Sequence, residues 1–143
     1  MMRHWIAGFI LVLAITTNAE AKDNKAVLEV TRCATDISSL LKKEMNVRLV
    51  KMDRDFLQAE GSFVNYRVPF LQQTSYVLAA CGEPSIKALD IKIYDATGNL
   101  VAKDEKTGNR PMVKFQPPST SVFILKILAS QGMGNYAFIL MSQ

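Results

Sequence analysis

Two cysteines and four acids are the residues best placed to do chemistry in this chain. Cys33 and Cys81 are its only thiols, and Asp90, Asp95, Asp104 and Glu105 crowd into one short region. Thiols can pair, bind metal or act as nucleophiles, and clustered carboxylates can hold calcium or work as an acid–base pair. Each of these chemistries needs a second component. A catalytic thiol needs an activating base, usually histidine, and the only histidine is His4 at the extreme N-terminus. Without it there is no Ser-His-Asp triad and no histidine zinc site. The acid spacing matches no EF-hand loop, so solvated hairpin acids are expected in place of a calcium site. Neither a glycine-rich phosphate loop nor a nucleophile elbow occurs. The sequence therefore assigns no catalytic residue, no metal ligand and no cofactor.

The N-terminus explains where the thiols are headed. MMRHWIAGFILVLAITTNAEA has a short positive start, an apolar run from Trp5 to Ile15 and a small polar end. Ala19 and Ala21 supply an A-x-A cleavage pattern, so residues 1–21 read as a signal peptide removed after Ala21. The apolar run is shorter than the roughly 20 residues that span a bilayer, so no stable membrane insertion is expected after cleavage. Cleavage removes His4 and Trp5, the only residues of their types, and leaves the net charge of +4 unchanged. The expected location is periplasmic or secreted. There an even cysteine pair is most simply a disulfide, Cys33–Cys81, with buried free thiols as the competing state.

Three elements of pattern position these residues. Val27, Val30, Ala34, Ile37 and Leu41 recur at helical spacing with Cys33 and Leu40 beside them, which predicts an amphipathic helix over residues 22–47. Asp23 or Asn24 is suited to cap its start. From Arg48 to the end the period is two. Eight short strands are predicted, separated by Gly61, Gly82–Pro84, Gly98, Gly108, Pro117–Pro118 and Gly132–Gly134. Two of them, SVFILKILA and GNYAFILM, are apolar on both faces, so the helix is expected to cover their second face. The two TGN turns, ATGNL and KTGNR, are expected to be hairpin turns around one short strand, making a meander.

CGEPSIKALDIKIYDATGNL, from Cys81 to Leu100, is the most organised stretch, with Leu89, Ile91 and Ile93 on one face and Asp90, Lys92 and Tyr94 on the other. Its core LDIKIYDATGNL resembles the bacterial pre-peptidase C-terminal domain family, in which a D-L-D-L strand leads to an aromatic, an Asp and a Gly-centred turn. SYVLAA resembles that family's preceding strand, and VKFQPPSTSVFILKILA and GNYAFIL its closing strands. The likeness covers roughly residues 63–142. Ala88 stands where the family often has its first Asp, and the helix and cysteine pair lie outside the pattern. Such domains accompany secreted peptidases and assist targeting or substrate binding. The resemblance thus implies a secreted, jelly-roll-like β-sandwich and a binding role.

The expected whole is mainly β: a jelly-roll-like antiparallel sandwich over residues 48–143, with the N-terminal helix packed on an outer face. The basic excess is diffuse, nine cations against seven acids from Lys22 to Arg67 and seven against five beyond, so no nucleic acid partner is expected. The function read from the sequence is a non-catalytic module that binds an envelope or secreted protein, or a surface polymer. The alternative is an accessory subunit or inhibitor of a secreted hydrolase, and a carboxylate-only hydrolase comes third. Asp90, Asp95, Asp104 and Glu105 form the one candidate contact hairpin, and Tyr66, Tyr76, Tyr94 and Tyr136 are expected to pack before they stack on a ligand.

Overall fold

The computed structural model describes residues 17–106 and 108–143, and the side chains of all of these but 17–23. Residues 1–16 of the expected signal peptide therefore lie outside the described residues, while the expected cleavage point after Ala21 falls within the helix. One helix, α1 (Thr17–Met45), precedes eight strands: β1 (Arg48–Leu57), β2 (Phe63–Phe70), β3 (Tyr76–Gly82), β4 (Ile86–Tyr94), β5 (Leu100–Asp104), β6 (Met112–Phe115), β7 (Ser121–Gly132) and β8 (Gly134–Ser142). All predicted strands are present. They form two four-stranded sheets ordered β1-β8-β3-β6 (sheet A) and β2-β7-β4-β5 (sheet B), and every pairing within them is antiparallel. Partners 1 with 8, 2 with 7, 3 with 6 and 4 with 5 nest like one long hairpin rolled up into a β-sandwich.

Alternation along the strands sends Tyr66, Val68, Phe70, Leu89, Ile91, Ile93, Phe123, Leu125 and Ile127 of sheet B inward. They meet Tyr76, Leu78, Phe115, Tyr136, Phe138 and Leu140 of sheet A. Phe70, Phe115 and Phe123 make edge and tilted ring contacts at 5.3–5.6 Å. Tyr66 and Tyr136 spend their hydroxyls on one another, 2.5 Å apart. Burial pushes the Tyr66 phenol up to about 12 and the Tyr136 phenol higher still. Both are packing residues, as is Tyr76; Tyr94 is the one that faces outward.

The helix is longer than its pattern suggests. Nothing between Thr17 and Lys25 breaks a helix, so Asp23 and Asn24 lie inside it and do not cap it. It ends two residues early, at Met45, because Asn46 takes φ +52°, the left-handed geometry that asparagine tolerates after a helix. Val30, Ala34, Ile37, Leu41 and Met45 pack onto Val77, Ala79, Ala137, Ile139 and Met141, the outer face of sheet A. Alanines on both sides let helix and sheet approach closely. Leu40, expected beside this stripe, is instead 52% exposed. The Cys33–Cys81 disulfide is present and ties the helix to β3 across a separation of 48 residues.

Two expectations fail here, each for a reason of pairing. The helix covers the second face of β8 but not that of β7, because β7 belongs to sheet B, on the far side of the sandwich. KTGNR is not a hairpin turn. Its Gly108, at φ +136°, sits in the crossover from β5 in sheet B to β6 in sheet A, where its carbonyl accepts from the Leu89 amide.

Strand β1 is an edge, and edges invite pairing with other chains. Here two of its amides are occupied: Asp53 Oδ1 accepts from the Arg54 N–H at 2.8 Å, and Asp55 Oδ1 from the Phe56 N–H at 2.7 Å. The acids fold back and blunt the edge.

Two outcomes are expected. Replacing Cys33 and Cys81 with Ser should cost about 4 kcal/mol on the chain-entropy account, a fall of roughly 10 °C or more in Tm. A Tm indifferent to the double substitution would contradict the staple. Replacing Asp53 and Asp55 together with Ala should expose the edge and raise self-association in sedimentation analysis. Sedimentation identical to the parent would show that the acids do not guard it.

Candidate interaction face

The helix covers β3 and β8 of sheet A, whereas no described helix lies over the outer face of sheet B. Its side chains are the alternate set of each strand: Phe63, Asn65, Arg67 and Pro69 of β2, Val122, Ile124, Lys126 and Leu128 of β7, and Asp90, Lys92 and Tyr94 of β4. Register sorts them into rows across the strands. Phe63, Leu128 and Asp90 form one row; Asn65, Lys126, Lys92 and Lys103 the next; Arg67, Ile124, Tyr94 and Leu100 the third. Phe63, Val122 and Leu100 are exposed, and Ile124, Leu128 and Tyr94 half-buried. The face is thus an aliphatic and aromatic band crossed by cations.

Those cations are held in place. The Lys126 ammonium lies 4.2 Å from the Phe63 ring centre and 5.4 Å from that of Tyr94. Lys92 and Lys103, opposite each other on β4 and β5, both reach Glu105, at 2.9 and 3.1 Å. That pairing holds the Glu105 carboxyl below, and the Lys92 ammonium above, the usual range.

The four acids singled out from the sequence are not brought together as one acidic tip. Asp95 caps the β4–β5 turn: its Oδ1 accepts from the Thr97 hydroxyl, the Thr97 amide and the Asn99 amide. These bonds, the Thr97 side chain foremost, hold its pKa down. Asp104 accepts from the Lys106 amide with one oxygen and the Met112 amide with the other, fastening the crossover. Glu105 is claimed by its lysines. Asp90 departs most from the expectation of solvated hairpin acids. It is 5% exposed, and its Oδ1 has no hydrogen-bond partner. Among the described residues no cluster of three or more metal-ligating side chains converges.

Sequence reasoning placed a turn at Gly132–Gly134 but missed how this β7–β8 tip is held. The β3–β4 turn braces it. Glu83 Oε2 accepts from the Asn135 amide at 3.0 Å and its side chain at 2.8 Å, while Ser85 Oγ sits 2.6 Å from the Met133 carbonyl. A Cβ at position 132 would lie 2.1 Å from the Ser85 carbonyl oxygen, so only glycine fits. Burial pushes the Glu83 carboxyl up, but the hydrogen bonds from Ser85 and Asn135 outweigh it and leave it low. Met133 is presented at the apex, 52% exposed. The signal was the GMG triplet beside the cysteine-proximal Glu83, which only long-range packing makes legible.

Asp90 supplies a test. Burial raises its folded-state pKa, and the nearby Glu105 and Asp104 add to this against the Ser130 hydroxyl and Lys92. A raised pKa means the folded state holds the proton more tightly. The stability this carries is full below the unfolded pKa and is lost as pH rises through the folded one. Asp90→Asn removes that loss. Its Tm relative to the parent should therefore climb as pH goes from about 4, the ordinary Asp value, toward neutrality. A gap that stays constant with pH would mean the carboxyl ionises unhindered.

No family model matches this chain, and no curated protein matches its sequence. Among solved structures it is similar to PliG of Aeromonas hydrophila, a periplasmic inhibitor of g-type lysozyme. The TM-score is 0.49 at 5% identity, over 68% of this chain and 86% of that one. At that level the likeness carries neither fold nor activity from one chain to the other.

Proposed function

We propose that this chain is an exported, non-catalytic β-sandwich that holds an envelope or secreted protein, or a surface polymer, against the outer face of sheet B. The observation that carries the reading is the asymmetry of the sandwich: one outer face is covered over β3 and β8 by a cross-linked helix, the other offers apolar side chains interleaved with cations. Surfaces with an apolar centre and a charged surround are how proteins recognise partners. The disulfide suits an oxidising compartment, in keeping with the leader read from the sequence. A binding role also suits the acids, three of which are spent on turn, crossover and lysine contacts.

A second reading, an accessory subunit or inhibitor of a secreted hydrolase, is favoured by the braced β7–β8 tip. A rigid convex loop loses little entropy on entering a cleft. This reading requires Met133, which the first does not.

A photo-cross-linking residue at Val122, in the native envelope, should capture one reproducible partner, and one at Leu28 or Leu40 of the helix should not. Phe63→Ser should weaken that capture while leaving Tm within a few degrees. Equal capture from face and helix would sink the proposal. Capture from position 133 alone, with hydrolase inhibition lost in Met133→Asp, would transfer the function to the tip.

A further inference from the structure

We infer that the open face of sheet B takes an acidic protein segment, whose carboxylates fill a two-cation clamp formed by Arg67 and Lys126. This rests on the reading of sheet B as the binding face and adds the chemistry of the partner. The molecule carries its own example of the contact. Lys92 and Lys103, side by side on neighbouring strands, hold the single carboxylate of Glu105 between them. One strand further along the same row stands Lys126, with Arg67 diagonal to it in the next row. Diagonal neighbours on an antiparallel pair lie about 7–8 Å apart, within reach of two long side chains sharing one acid. Among the described residues neither Arg67 nor Lys126 has an ion-pair partner. The first pair is filled from within; the second is open.

Three observations choose the occupant. The acids on or beside this face are Glu105, paired with its lysines, Asp90, which is buried, and Asp95 and Asp104, bound to turn and crossover amides. That leaves Arg67 and Lys126 as the cations without an acid and makes an anionic partner complementary. A second copy packed through this same face would set four cations against four and is disfavoured for the same reason. Sugar polymers are recognised by open aromatic rings, but the rings present, Phe63 and Tyr94, both lie against the Lys126 ammonium. What remains open is the aliphatic band of Val122, Ile124, Leu128 and Leu100, which matches apolar side chains between acidic ones. Lys126 is also pre-positioned by its two rings, so less side-chain freedom is lost when a carboxylate arrives.

The test uses the disulfide-bonded exported chain and three probes: an acidic Glu/Leu peptide, its Gln/Leu counterpart, and alginate as a carboxylated polysaccharide, with anionic lipid vesicles as a fourth arm. The Glu/Leu peptide should bind and shift amide resonances of β2, β7 and β4. Arg67→Glu should weaken it by roughly tenfold, and Lys126→Gln, a gentler change that keeps the side-chain stem, by a few-fold or more. Lys43→Glu, the same kind of change on the solvent side of the helix, should alter affinity by less than about twofold. Three results would overturn the inference. They are equal binding of the Gln/Leu peptide, tighter binding of alginate or vesicles through the same rows, and a loss in Lys43→Glu matching that in Arg67→Glu. Successful capture from Val122 together with failure of the acidic peptide would leave the binding face standing and refute only the clamp.

Discussion

The cross-link between Cys33 and Cys81 decides which half of this sandwich meets solvent. A two-sheet sandwich has two outer faces and one helix can close only one of them. The disulfide joins α1 to β3, an interior strand of sheet A, and the alanines of helix and sheet let the two surfaces seat closely. Everything apolar on β8 can then be buried on both sides, which is why all nine of its residues are inaccessible. The same choice leaves β7 with one buried and one half-exposed face.

Much of this was legible from residue order. Period-two patterning and glycine and proline punctuation located every strand, because each is a local signal. The helix was legible for the same reason, and the disulfide followed from having only two cysteines behind an N-terminus that reads as an export signal. What could not be read was pairing. SVFILKILA and GNYAFILM look alike in composition, and only the long-range order of the sheets puts one beneath the helix and the other opposite it. KTGNR likewise has the composition of a hairpin turn, but its flanking strands belong to different sheets. Asp90 was hidden by convention: an acid at an outward strand position normally reaches water, and here neighbours from β5 and β7 close over it.

Edge chemistry and face chemistry divide the surface between them. At β1, Asp53 and Asp55 turn back on their own backbone, so strand addition there is opposed. On sheet B the cations stand over rings or beside one glutamate, and the aliphatic side chains between them have no cover. The protein thus suppresses pairing through its long edge while leaving a specific, charged, apolar face available. Such a division suits the proposed binding role, since an unguarded edge would recruit any extended chain.

The central claim is that sheet B, and not sheet A or the tip, faces a partner. Hydroxyl-radical footprinting compares side-chain accessibility in the native envelope with that of the purified chain, residue by residue. Phe63, Tyr94, Val122 and Leu100 should be protected in the envelope, while Leu28 and Leu40 on the helix and Met133 at the tip react equally in both settings. Unchanged reactivity at Phe63 and Val122, with protection at Met133 or along the helix, would contradict the account.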